Sequence, residues 1–289
     1  MKTLLLDVGG TFIKCSDGRE IPIRSDGSRE EISSSFAEAV GAFCNEDSCV
    51  NDAETASGNR ERDCEIAVAI PGPFDYERGI FLMKHKFSAV YGMSFREVAG
   101  VPSCVRLLFT HDVNVMLAGE MFYGNGRGYS RVALVALGTG LGFAMSIDGR
   151  ILKKATGSPL VSIFGLPYRD GILEDYASKR GFLGTFKALG GQGAATVKDI
   201  AEFAGGGDKA ALETFRSIGS TIALTISPIL KEYGIECLLF GGQISRSFRF
   251  LEPALREGLS GVESLVEISQ VSNFDNATFN GLRALLRQE

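Results

Sequence analysis

Twice in this chain an apolar run ends in a glycine-rich break and resumes as a second strand, and that repetition constrains the fold more than any other feature. The first copy runs Leu4-Leu5-Leu6-Asp7-Val8-Gly9-Gly10-Thr11-Phe12-Ile13-Lys14-Cys15 and closes at the turn signal Ser16-Asp17-Gly18. The second runs from Arg131 to Leu137, breaks at Gly138-Thr139-Gly140, continues from Leu141 to Ile147 and closes at Asp148-Gly149. Short continuous apolar runs predict strands covered on both faces, and Gly-rich breaks between them predict hairpins. A third strand, Ile235 to Phe240, also runs into glycines, at Gly241-Gly242-Gln243. Duplication of one supersecondary unit predicts two facing domains.

The first break has chemical content. Two adjacent glycines let backbone N–H groups approach a phosphate, Thr11 adds a hydroxyl, and Asp7 offers a ligand for Mg²⁺. Neither a P-loop nor a dinucleotide-binding glycine pattern is present, and the chain continues as a strand rather than opening a helix. Taken alone, the same residues read equally well as an ordinary Gly-Gly hairpin with a solvated Asp. Lys14 is open in the same way, between reaching a phosphate and being a solvated strand lysine.

A length of 289 residues allows one large or two ordinary domains, and the duplication favours two. Net charge is −5 with no long basic block, which argues against a nucleic-acid or anionic-membrane footprint. Asp7 ends the opening apolar run short of a signal-peptide core, and no apolar segment is of transmembrane length, so a cytoplasmic location is expected. The six cysteines show no C-x-x-C or C-x-C spacing and read as reduced thiols, and Cys44 and Cys49, which lie in a polar stretch and could pair if oxidised, read as surface thiols.

Between the repeats, Ile21 to Arg24 reads as a further strand, and Ile32, Phe36, Val40 and Phe43 give Glu30 to Phe43 one apolar helical face. Residues 45–63 are polar and aperiodic, a surface loop with some disorder. Cys64 to Ile70 is a strand stopped by Pro71-Gly72-Pro73, which leaves backbone groups facing outward at its carboxyl end. Ile80 to Met83 reads as a short strand before Lys84-His85-Lys86. Val105 to Phe109 is a strand that delivers His111-Asp112-Val113-Asn114 to the start of a helix, where Asp112 serves either as an N-cap or as a carboxylate aimed at a ligand. Further on, Leu173 to Ser178, Thr196 to Phe203 and Lys209 to Tyr233 are helical, the last bounded by Gly234 and containing Pro228. Val262 to Val271 is strand-like, and Ala277 to Arg287 closes as a helix.

In this order, Asp-x-Gly-Gly-Thr, Pro-Gly, strand-x-Asp, Gly-Thr-Gly and Gly-Gly resemble the sugar kinases of the actin and hexokinase superfamily, and the chain is most similar to their ROK family. The resemblance covers nearly the whole chain. It implies an α/β, two-domain actin/hexokinase-like (ribonuclease H-like) fold, with duplicated mixed β-sheets flanked by helices and a central cleft. The implied domains are residues 1–111 plus the closing helix at about 275–289, and residues 112–274.

The activity implied is ATP-dependent phosphorylation of a hexose or related sugar, glucokinase-like, with Mg-ATP held between the two glycine hairpins. Thr110-His111-Asp112-Val113-Asn114 with Ala118-Gly119-Glu120 matches the family's segment around its general base, so Asp112 takes that role. Asp7, Gly9, Gly10, Thr11, Gly138, Thr139, Gly140, Gly241, Gly242 and Gln243 are implied to bind the nucleotide, with Asp7 holding Mg²⁺ through water. Pro71, Gly72, Lys86, His111 and Asp112 are implied at the substrate. The partner implied is a small-molecule sugar, without nucleic acid or membrane, in a homodimer. The repressors of the family add a DNA-binding module, for which a chain starting at the phosphate strand has no room.

The chain departs from the family in three places. His111 replaces an Asn before the base, and Lys84-His85-Lys86 replaces a Pro-Asn segment. The Glu-x-Gly-His sugar motif is absent, together with the His and three Cys that bind zinc in many members. Gly171 to Ser178 resembles the segment that carries the last of those cysteines, with Ile172 in its place, so no structural zinc is expected. These departures leave room for an alternative, a catalytically weak sugar-sensing or regulatory protein of the same fold. His111 either hydrogen-bonds a sugar hydroxyl or is a structural histidine.

Overall fold

The computed structural model describes residues 2–44, 64–274 and 276–287. The polar stretch expected as a surface loop at residues 45–63 lies outside them, as does Cys49. The chain divides into two compact units, one of Met1–Val115, Lys153–Ser158 and Leu282–Glu289, the other of Met116–Leu152 and Pro159–Gly281.

In the first unit the chain forms β1 (Lys2–Val8), β2 (Phe12–Cys15), β3 (Glu20–Pro22), α1 (Arg29–Gly41), β4 (Cys64–Ile70), β5 (Phe74–Asp75), β6 (Ile80–Phe81), α2 (Phe95–Ala99) and β7 (Arg106–His111). The main sheet has the order β3-β2-β1-β4-β7, with β1, β4 and β7 parallel and β2 antiparallel to β1. β3 ends at Pro22, shorter than its apolar run suggests, although Ile23 still donates its amide to the Thr11 carbonyl beyond it. β4 is buried along its whole length, as a central parallel strand should be.

Helix α1 starts at a reciprocal capping box, Ser28 accepting from the Glu31 amide and Glu31 accepting from the Ser28 amide. Its buried stripe of Ile32, Phe36, Ala39 and Val40 packs with Leu4, Leu6, Ile66 and Val68 of the sheet. Phe36 sits within 5.0–5.9 Å, centroid to centroid, of Phe81, Phe87 and Phe95. Each buried ring contributes about 2–3 kcal/mol by burial.

Continuing along the chain, α3 (Asp112–Tyr123) is followed by β8 (Arg131–Leu137), β9 (Leu141–Ile147), β10 (Arg150–Ile151), β11 (Pro167–Tyr168), β12 (Gly171–Ile172), α4 (Leu173–Ala177), α5 (Lys179–Ala188), α6 (Val197–Gly205), α7 (Lys209–Tyr233), β13 (Cys237–Gly241), α8 (Phe248–Gly258), β14 (Glu267–Gln270) and α9 (Ala277–Leu286). The main sheet of the second unit is ordered β10-β9-β8-β13-β14, with β8, β13 and β14 parallel and β9 antiparallel to β8. Replacing β3, β2, β1, β4 and β7 by β10, β9, β8, β13 and β14 turns one strand order into the other, so the duplication extends to the whole sheet.

Helix α7 runs unbroken from its Asp208 cap, which accepts from the Ala211 amide, to Gly234 at φ 61°, with Pro228 contained in it. The expected strand over Val262 to Val271 is only β14. Val262 instead donates its amide to the Leu259 carbonyl in a turn and buries its side chain in the core, and pairing with β13 begins at Glu267.

Glu120 is 2% exposed, and its carboxylate accepts from the amides of Asn125 and Ser272 and from the Ser272 hydroxyl at 2.9–3.0 Å. Removing the carboxylate takes their shared acceptor from the Asn125 and Ser272 amides and leaves a gap at a buried position. Glu120→Ala is therefore expected to lower stability by about 3 kcal/mol, read as a lower urea midpoint at unchanged m-value.

Candidate active site

The parallel strands β1, β4 and β7 all point their carboxyl ends the same way, and the sequence-selected residues of the first unit sit at those ends. Asp7 lies on β1 opposite Lys14 of β2 and Ala69 of β4. Beyond it Gly9 donates its amide to the Phe12 carbonyl at 2.9 Å, which closes the hairpin, and Thr11 is exposed while its carbonyl accepts from Ile23. A Cβ at Gly9 would stand 3.1 Å from the Phe12 carbonyl oxygen, so Gly9 is set by the turn itself. At Gly10 a Cβ would meet only side-chain atoms, Ser25 Oγ at 3.5 Å and Lys86 Cε and Nζ at 3.8 Å. Gly10 is thus the open glycine of the pair, the one a phosphate can approach. Lys14 instead stands 3.8 Å from Glu20, with its side chain half exposed.

At the end of β7, His111 and Asp112 form a pair. His111 Nδ1 lies 2.7 Å from Asp112 Oδ1, and since two acceptors repel at that distance, Nδ1 carries the proton and donates. The Val113 amide also donates to Asp112 Oδ1, at 2.7 Å. A capping Asp would accept from an amide two or three residues on, so the carboxylate of Asp112 is not spent on capping α3. Desolvation pushes the Asp112 carboxyl up. His111, the Val113 amide and the positive charge of Lys86 outweigh it and hold the group below the usual aspartate range, while 47% of the side chain stays open to solvent.

His111 is itself confined. Its ring lies 5.8 Å from that of Tyr76, and a Cβ on Gly72 would stand 3.4 Å from its Nε2. Tyr76 donates its hydroxyl to the Ile70 carbonyl at 3.1 Å, and burial, followed by the charge of Asp112, raises its pKa so that it remains a neutral phenol. Pro71 and Gly72 are half-buried beside this group, at the end of β4. Asn114 is fully buried and donates to the Gly157 carbonyl at 3.2 Å, while Tyr76 takes the Thr156 carbonyl through its amide. The segment Lys153–Ser158 therefore joins the surroundings of Asp112, in the place where the sequence showed no sugar motif.

In the second unit Gly138 donates to the Gly140 carbonyl at 3.1 Å, and its own carbonyl accepts from Lys179, the first residue of α5. Glu174 accepts from the Leu141 amide at 2.9 Å, and its Oε2 would stand 2.9 Å from a Cβ on Gly140. Sequence reasoning missed this carboxylate against the second glycine loop. Thr139 is exposed between the two glycines. Gly241 and Gly242 are crowded, since a Cβ on Gly241 would lie 2.2 Å from Met116 Sδ and one on Gly242 2.3 Å from the Leu137 carbonyl oxygen. Gln243 accepts from Arg246 at 3.0 Å through its side-chain oxygen.

Among the described residues no group of three His, Cys, Asp or Glu side chains is placed to hold a metal ion. Mg²⁺ keeps much of its hydration and takes few protein ligands, so a single carboxylate such as Asp7 is compatible with it. Ile172 pairs with Pro167 in a hairpin and donates its amide to Asp175 at 3.0 Å. No described helix is long and apolar enough to cross a membrane.

Duplicated sheets, each with a strand–glycine–strand loop on its first strand, define the mixed α/β fold of the actin/hexokinase-like sugar kinases. The chain belongs to the ROK family, whose model matches residues 6–159. Over 214 residues it is 25% identical to a glucokinase of Thermotoga maritima, covering 66% of this chain and 68% of that one. It is 24% identical to the DNA-binding transcriptional repressor Mlc of Escherichia coli, covering 76% of this chain and 58% of the repressor. Among solved structures, a ROK family glucokinase from Streptomyces griseus in complex with glucose and AMPPNP matches 99% of each chain, with a TM-score of 0.74 at 20% identity. A structure from Cytophaga hutchinsonii, described as a candidate sugar kinase, matches 99% of each chain, with a TM-score of 0.78 at 19% identity.

Proposed function

We propose that this protein is an ATP-dependent kinase of a hexose or related sugar. The observation that carries the reading is the carboxylate of Asp112 at the end of β7, oriented by His111 at 2.7 Å, in the same unit as the open Gly10 hairpin. Asp112 accepts the proton of the attacking sugar hydroxyl as that oxygen bonds to the γ-phosphorus and the bond from phosphorus to the ADP oxygen breaks. His111 fixes the carboxylate so that one oxygen stays turned to the hydroxyl. It acts on the base rather than on the sugar, and this supports the structural side of the two readings left open by the sequence.

Amides of the glycine loops at Gly10, Thr139 and Gly140 take phosphate oxygens of ATP, Gly9 and Gly138 shape the two turns through their own amides, and Thr11 and Thr139 add hydroxyls. Mg²⁺, bound at Asp7 through water, neutralises phosphate charge. Gly241, Gly242 and Gln243 flank the adenosine. Pro71 and Gly72 border the sugar.

A coupled assay of ADP formation across hexoses, amino sugars and ketoses tests the reading. At least one sugar is expected to stimulate ADP release well above the sugar-free rate. If ATP binds and no sugar stimulates release, the kinase reading falls. The likeness to Mlc would then favour a sugar-sensing regulator of the same fold. Metal analysis of the purified protein is expected to find no stoichiometric zinc, and tightly bound zinc would overturn that part of the reading.

A further inference from the structure

The segment 84–87 lies far in sequence from the first glycine loop, yet the backbone ties the two together. Phe87 donates its amide to the Ser25 carbonyl, and Ser25 donates its own to the Gly10 carbonyl at 3.3 Å. Phe87 is held at φ 52°, a left-handed conformation costly for an aromatic residue, and its fully buried ring packs against Phe36 and Phe81. Strain of this kind persists only where the surroundings fix it, so the backbone beside Lys86 has one position. The Lys86 side chain is half-buried and makes no hydrogen bond or ion pair with the described residues. Its ammonium stands 3.8 Å from where a Cβ of Gly10 would lie. A half-buried ammonium held at a glycine loop, in electrostatic reach of the Asp112 carboxylate but not paired with it, is a site for an anion.

We propose that Lys86 is a catalytic residue of this kinase, binding the oxygens of the γ-phosphoryl group of ATP at Gly10 while the group passes to the sugar oxygen deprotonated by Asp112. This rests on the kinase reading above and assigns to the phosphoryl group a residue that the sequence places only loosely at the substrate. The negative charge of the group is spread over its three equatorial oxygens as it moves, and a fixed ammonium stabilises it there without reorganising. The same charge lies within reach of the Asp112 carboxylate and favours its ionised form. Lys86 thereby serves both ends of the transfer, while Lys14, engaged with Glu20, serves neither.

The test compares AMPPNP, which carries a γ-phosphoryl group, with ADP, which does not. Calorimetry on wild type, Lys86→Met and Lys86→Arg is expected to show AMPPNP binding weakened about tenfold or more in Lys86→Met, ADP binding unchanged, and most of the loss restored in Lys86→Arg. On the sugar found active, kcat of Lys86→Met is expected to fall about a hundredfold at unchanged sugar KM. Equal AMPPNP affinity in wild type and Lys86→Met overturns the proposal, and so does a parallel loss for both nucleotides, which would mark a structural role. The binding comparison needs no turnover. If AMPPNP binds with the expected dependence on Lys86 while no sugar is phosphorylated, the γ-phosphate site stands and the kinase reading falls. If wild type does not bind AMPPNP, both fall.

Discussion

Asp112→Asn is expected to bind sugar and nucleotide at near wild-type affinity and to lose turnover by about 10²–10⁴-fold, equivalent to about 3–5.5 kcal/mol of barrier. The substitution keeps the shape of the side chain and an oxygen that accepts from His111 Nδ1 and the Val113 amide, so the junction of β7 and α3 holds. What it removes is the ability to take a proton. A fall in kcat at constant sugar KM identifies the base, and an unchanged kcat would show that the base is another group. The pH profile carries a second expectation. Desolvation raises the Asp112 carboxyl, but His111, the Val113 amide and Lys86 bring it below its ordinary value, so kcat stays level as pH falls from neutrality through the usual aspartate range and drops only beneath it. A depressed folded pKa also contributes stability above the unfolded value, lost as pH falls through the folded one, and Asp112→Asn should flatten that part of the stability curve.

The glycine turns of the first unit, the place of Asp112 at a strand-to-helix junction and the long helix were legible because their signals are local. An apolar run broken by glycine marks a strand end, and an Asp before and a Gly after an unbroken helical pattern mark α7 to the residue. The matching strand orders follow from the repeated hairpin, since each copy starts a sheet of the same topology. Contacts between distant segments left no such mark. Lys86 reaches Gly10 through two backbone hydrogen bonds and a left-handed Phe87, and Glu174 reaches the Gly140–Leu141 amide from the start of α4. Neither a tight fold-back nor a side chain capping a remote loop has a period or a spacing. His111 was legible as a departure but not as a role, because whether it faces a ligand or its neighbour depends on the turn between β7 and α3. Its ring lies beside Gly72 and Tyr76, contacts that leave no mark in the sequence.

Glycines that look alike in the sequence are expected to separate sharply when each is replaced by alanine. Gly242 sits at φ 80°, and a Cβ there would lie 2.3 Å from the carbonyl oxygen and 2.9 Å from the carbonyl carbon of Leu137, all backbone atoms of a central strand that cannot step aside. Gly242→Ala combines left-handed strain with a clash, and a loss of more than about 4 kcal/mol is expected, seen as a lower melting temperature or as failure to accumulate folded protein. Around Gly138 the nearest atom to a new Cβ is the Gly140 carbonyl oxygen at 4.0 Å, and Gly10 offers only ordinary contact distances. Gly138→Ala and Gly10→Ala are therefore expected to melt within a few degrees of wild type while weakening ATP, because the methyl occupies space through which a phosphate approaches the backbone amides. Circular-dichroism melts and nucleotide titrations on the same three proteins separate the two roles. Gly242→Ala at wild-type stability would show that the close approach to Leu137 relaxes freely, and Gly138→Ala and Gly10→Ala at wild-type ATP affinity would remove both loops from the nucleotide site. A split between the variants means that the third strand–glycine junction is kept for packing against β8 and the first two for their open faces.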